Sequence, residues 1–124
     1  MNVVLWIVAG LLAAIFFMAG MMKVAQPYEK LKKSQAWVED FSPGIVKEIG
    51  VLEVLAAIGL IVPPLVDVVP ILAPIAASGL AVTMVGAAII HARRGGEGQN
   101  IMTNVVLLAL LLFVAVGRFA IEPF

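Results

Sequence analysis

The sequence predicts an all-α integral membrane protein: a single-domain, up-down-up-down four-helix bundle with an interfacial amphipathic segment between helices one and two. Three observations predict it. Hydrophobic residues make up 63% of the 124-residue chain and charged ones 13%, with a mean hydropathy of +1.12, far above a soluble domain. Apolar runs approaching the roughly 20 residues needed to cross a hydrocarbon core occur four times. The middle turn is short, and short links make successive helices antiparallel neighbours.

The first helix is expected over about 2–23, because Asn2 to Met22 carries no charge. No basic stretch precedes this run, it is too long for a signal peptide, and Lys23 follows where a cleavage site would stand, so it reads as a retained helix. Residues of about 27–42 interleave Tyr28, Leu31, Trp37, Val38 and Phe41 with Glu29, Lys30, Lys32, Lys33, Glu39 and Asp40, and Pro27 suits a helix start. Such a segment lies in the membrane interface, either as an aromatic and lysine anchor that fixes helix depth or as a docking surface for a partner. The second helix, about 45–66, is long enough only if Glu53 is accepted inside it. A tight turn around Pro63, Pro64, Asp67 and Pro70 leads to the third, about 69–92. The loop HARRGGEGQN separates that from the fourth, about 101–121.

Lys23, Lys30, Lys32, Lys33 and Lys47 lie in or beside the first link and Arg93 and Arg94 in the third, against Arg118 alone on the other side. By the positive-inside rule, both links face the cytoplasm and both termini face out. The cytoplasmic leaflet then receives four helix ends, and these carry Lys23, Glu48, Glu53, His91, Asn100 and Asn104. Glu53 shares a helix face with Val46, Gly50 and Ala57, and small residues mark faces where membrane helices meet, so Glu53 should look into the bundle. Ala9, Ala13 and Gly20 lead to Lys23 in the same way, Thr83 and Ala87 to His91, and Asn104 heads a face running to Arg118.

A carboxylate about 12 Å along a helix of 1.5 Å rise per residue is expensive in hydrocarbon, and must be paired, protonated or wet. Lys23, His91 and Asn104 are the candidates within reach. Each has an ordinary alternative: a snorkelling lysine, a capping histidine, a simple interhelical amide hydrogen bond. Trp37, Arg93, Arg94 and Arg118 read as membrane anchors. One histidine, no cysteine and scattered carboxylates supply no metal site. The absence of cysteine excludes dithiol chemistry, the net charge of zero gives no basic field for nucleic acid, and no Ser-His-Asp set or phosphate-binding glycine loop is present. An enzyme acting alone is the least supported reading.

The order of FFMAGMMKV, IGVLEVLAAIGLIVPP, VGAAIIHARRGGEGQNIMTNVVLLAL and FVAVGRF along the chain resembles the DoxX-like family of small four-helix membrane proteins. The family pattern falls on Gly20, Lys23, Glu53, Gly59, Gly86, His91, Asn104 and Arg118, the glycines of the pattern, with Gly50, being expected at helix contacts. The resemblance implies a bacterial plasma-membrane protein beside redox proteins, since relatives are linked to a thiosulfate:quinone oxidoreductase and to a mycobacterial oxidoreductase complex, while a vertebrate branch chaperones receptors. It implies no single mechanism. The expectation drawn is an accessory membrane subunit that binds a lipophilic molecule such as a quinone, or an oxidoreductase partner, at the polar cluster. The alternatives are a scaffold or chaperone for a client protein, and a small transporter or proton pathway using Glu53. Small-residue faces on so short a bundle suit a homodimer.

Overall fold

The computed structural model describes residues 1–124. Helix α1 runs Asn2–Ala25 and stops where Gln26 turns extended ahead of Pro27, two residues beyond the expected end at Lys23, because proline and not the lysine breaks it. Helix α2, Tyr28–Ser34, and a 3₁₀ turn, Ala36–Asp40, then fold back on each other. Their inner residues Leu31 and Val38 form a small core with Val46, and the Tyr28 hydroxyl donates to the carbonyls of Val38, at 3.2 Å, and of Phe41. The segment between the first two long helices is therefore a preassembled unit.

Helix α3, Pro43–Leu65, starts on an N-cap in which Ser42 Oγ accepts from Ile45 N, with Pro43 in the first turn. Pro63 and Pro64 lie in its last turns and bring no N–H to continue the helix. The chain reverses through residues 66–71, where Asp67 and the β-branched Val69 take left-handed φ of 57° and 47°. Helix α4, Leu72–Arg94, thus begins three residues later than the apolar pattern suggests. Gly95 and Gly96, both at positive φ, end it. Helix α5, Gly98–Val116, begins at Gly98 rather than near 101, and a π-helical turn, Gly117–Ile121, follows it.

Helix α1 packs mainly on α3 and α4 on α5, and the α3–α4 contact joins the two pairs. Leu12, Phe16, Ala57, Leu60, Ala77, Leu80, Leu111 and Val114 form the shared core. Only 26 of 124 residues are buried, so most of a 63% hydrophobic chain faces outward. An exterior of that kind suits hydrocarbon and not water. Three segments are long and apolar enough to cross a membrane: α1, α4, and α5 with its π turn. Helix α3 matches them in length but carries Lys47, Glu48 and Glu53, so its crossing depends on how Glu53 is accommodated.

Candidate functional site

The site starts from two glycines. A Cβ on Gly20 would lie 2.6 Å from the Gly50 carbonyl oxygen, and one on Gly50 would lie 2.7 Å from both the Gly20 oxygen and Lys23 Cβ. The backbones of α1 and α3 touch there, a distance only glycine permits. One turn further along each helix stands a charged residue, Lys23 on α1 and Glu53 on α3. Lys23 Nζ lies 2.8 Å from Glu53 Oε1, with the two residues 7% and 4% exposed. A pair this buried is held by mutual attraction at low dielectric, and either member alone would be costly. The glycine contact thus fixes the register that makes Glu53 tolerable inside α3.

Beside this pair is a cavity of about 680 Å³ walled by α1, α3, α4 and α5. Lys23, Glu53, His91 and Asn104 all border it. Phe16, Met84 and Leu107 give it apolar sides, and Ser34 to Trp37 of the folded segment roof it. Trp37 therefore faces the cavity, with its indole N–H donating to Gln35 Oε1 at 3.1 Å and Lys23 Nζ lying 5.8 Å from its ring centre. Gly86, expected at a helix contact, meets nothing within 4 Å of where its Cβ would be and instead lines this cavity, whereas Gly59 approaches Ala76 of α4 at 3.3 Å.

Arg94 fastens the roof. Its Nη1 donates to Asp40 Oδ2 at 2.7 Å and its Nη2 to Glu39 Oε1 at 3.1 Å, while Nε donates to Glu97 Oε2 at 2.7 Å. Expected as a membrane anchor, Arg94 instead ties the folded segment to the α4–α5 loop, because carboxylates converge on its fork from both sides. Arg93 is exposed beside it. The second oxygen of Glu97 accepts from His91 Nδ1. Those hydrogen bonds, from His91 first and Arg94 second, hold the Glu97 carboxyl below the usual range. His91 and Lys23 therefore each face a carboxylate across the cavity rim. Asn104 differs, since its Nδ2 is buried with no partner.

Arg118 is far from this cluster. It is 3% exposed, with Nη1 donating to Asn2 Oδ1 at 2.7 Å and to the Glu122 carbonyl at 3.0 Å. Its guanidinium carbon sits 3.9 Å from the Phe124 ring centre and 5.7 Å from that of Trp6. The expected outer anchor is thus a buried internal clasp: aromatic rings and the start of α1 enclose it before it can reach a headgroup.

Glu97 escaped sequence reasoning, and Glu39 and Asp40 read in the sequence only as polar residues of the interfacial segment, not as partners of Arg94. The one available signal was an acid immediately ahead of a helix N-terminus, and the glycines around Glu97 hid that start.

Chemically, the arrangement offers an apolar chamber with two acid–base pairs and one buried, unpartnered amide nitrogen at its rim. No curated protein and no solved structure matches the chain. Residues 7–114, from within α1 to the penultimate turns of α5 and including every residue bordering the cavity, match the family model described as the DoxX-like family. The chain therefore belongs to the DoxX-like family, and its long apolar helices are those of a membrane protein.

Proposed function

We propose that this protein is an accessory membrane subunit that takes a lipophilic small molecule, a quinone being one fitting candidate, into the chamber beside Lys23 and Glu53. The observation that carries this reading is the convergence of Lys23, Glu53, His91 and Asn104, from four separate helices, on one cavity with apolar sides. In this reading all four long helices cross the bilayer up and down, with the Lys23 end cytoplasmic and both termini outside, as the Lys and Arg distribution favours. Helix α3 can cross because the Lys23 ion pair neutralises Glu53.

The apolar sides formed by Phe16, Met84 and Leu107 fit a ring and an isoprenoid tail, and the polar rim fits a head bearing oxygen. A quinone, when bound, supplies two-electron, two-proton redox chemistry. The chain's own part is to bind and orient: Trp37 and the roof keep water from one side, and the His91 imidazole and Glu53 carboxyl are groups at the rim able to hold a proton. The electron carrier would belong to a partner oxidoreductase.

The test is to isolate the protein in native lipid nanodiscs and identify by mass spectrometry every small molecule and protein that copurifies, comparing wild type with Glu53→Gln. A lipophile kept by wild type and lost from the variant is the expected result. A stoichiometric partner protein with no lipophile in either sample would replace this reading with a scaffold held in shape by the ion pair.

A further inference from the structure

We infer that the chamber selects an amphiphile whose head is uncharged and carries a hydrogen-bond acceptor, and that Asn104 is the residue that selects it. The inference rests on the binding reading above and adds the class of ligand.

The charged groups and the hydroxyls at the rim already have partners. Lys23 and Glu53 neutralise each other at 2.8 Å. Glu97 is shared between His91 and Arg94, and Arg94 is shared further with Glu39 and Asp40. The hydroxyls of Ser34, Thr83 and Thr103 donate to carbonyls of their own helices. A charged head would have to pull Lys23 from Glu53, or Glu97 from His91 and Arg94, and leave a buried group without its counter-charge. A neutral head displaces none of them.

Asn104 stands apart from those ion pairs and hydroxyls. The residue is 9% exposed, borders the chamber, and has a side-chain nitrogen that is buried and unpartnered. Buried amide donors are ordinarily satisfied, and Nδ2 can only donate. An acceptor oxygen on the occupant, such as a carbonyl, completes it once the amide turns its nitrogen towards the chamber, since that nitrogen is now closed off from solvent. The polar end of the chamber thus asks for a ketone, quinone or ester oxygen, and its apolar sides ask for a chain. Ile15 of α1 and Thr103 of α5 line the chamber and are exposed as well, so the chamber wall reaches the outer surface on those two helices, where such a chain can meet the lipid.

The experiment uses the full chain in nanodiscs with Trp6→Phe, so that Trp37 in the roof is the only tryptophan. Three probes of equal length, each brominated on the chain next to the head, are titrated by mole fraction: a long-chain methyl ketone, the corresponding carboxylate at pH 8, and the alkane. Saturable quenching of Trp37 by the ketone is expected at about one-tenth the mole fraction needed for the alkane, the usual worth of one buried hydrogen bond. Asn104→Leu, close in volume, is expected to bring the ketone within about twofold of the alkane. The ketone-to-alkane ratio in the protein with Asn104 intact tests the inference even if Asn104→Leu fails to fold. Tightest binding by the carboxylate, or equal binding of ketone and alkane, would overturn the ligand class while leaving the chamber a binding site. Failure of all three probes to quench saturably would remove the binding reading itself.

Discussion

The two ends of this molecule both bury charge, and they do so in opposite ways. At one end Lys23, Glu53, His91 and Glu97 surround a cavity of about 680 Å³ as carboxylate-containing pairs. At the other, Arg118 has no carboxylate partner: it is held by Asn2, a carbonyl and two aromatic rings. Packing there is tight, since a Cβ on Gly117 would meet Leu5 Cδ2 at 2.6 Å. An imidazole or a carboxyl can take up and give up a proton, whereas a guanidinium stays charged. The difference is what supports placing the proposed binding function at one end and not the other. Space together with titratable pairs marks the Lys23 end, and closed packing around a permanent charge marks the Arg118 end as a clasp between the chain's two termini.

The largest expected effect comes from breaking the ion pair. Lys23→Met leaves the Glu53 carboxyl 4% exposed with no counter-charge, and should cost about 3–5 kcal/mol of stability. Adding Glu53→Leu should restore most of that, because two packed apolar residues replace a buried pair at little cost. Denaturant unfolding in mixed micelles measures all three variants. A Lys23→Met protein as stable as wild type would show that Glu53 is already solvated or neutral, and the contrast between the two ends would lose its basis.

A smaller effect is expected from Arg118→Met. Two hydrogen bonds to a charged donor are lost, yet a desolvated cation and an unpartnered Nη2 go with them, so the net cost should be about 1–2 kcal/mol. The sharper expectation concerns binding: any lipophile that copurifies with wild type should be retained undiminished by this variant in the same mass-spectrometric comparison. If Arg118→Met loses the lipophile as Glu53→Gln is expected to, then the two ends are coupled and the clasp is not merely structural.

How much of this was legible in the sequence follows from what periodicity can carry. An all-α chain with long apolar helices was readable, because 3.6-residue faces and uncharged runs are local signals. The meeting of Lys23 with Glu53 was readable as a possibility, since depth and the small-residue faces of Gly20 and Gly50 limited the choices. The Arg94 fork was not. Its partners at Glu39 and Asp40 lie 55 and 54 residues away, and the contact depends on the folded segment turning back over the cavity, which no local pattern specifies. Arg118 was misread for a related reason: a lone arginine near a chain end reads as an anchor until the opposite terminus is known to cover it.

The gentlest way to sharpen the comparison is acid. Because the Glu97 carboxyl is held below its ordinary range in the folded protein by His91 and Arg94, the folded state favours its ionised form. Its contribution is therefore whole above the unfolded-state carboxyl pKa and is lost as pH falls through the lower folded value. Protonation there removes the acceptor that Arg94 and His91 share. The roof should consequently loosen in acid, with Trp37 emission shifting red in the Trp6→Phe protein as its ring becomes wetter. Glu97→Gln should show the loosened emission already at neutral pH and a flatter response below it. At the Arg118 end Glu122 acts on the guanidinium only at longer range, with no carboxylate hydrogen-bonded to it, so Trp6 emission measured in a Trp37→Phe protein should change little over the same range. Parallel shifts of both tryptophans would instead mean that acid unfolds the whole chain and that the roof has no independent response.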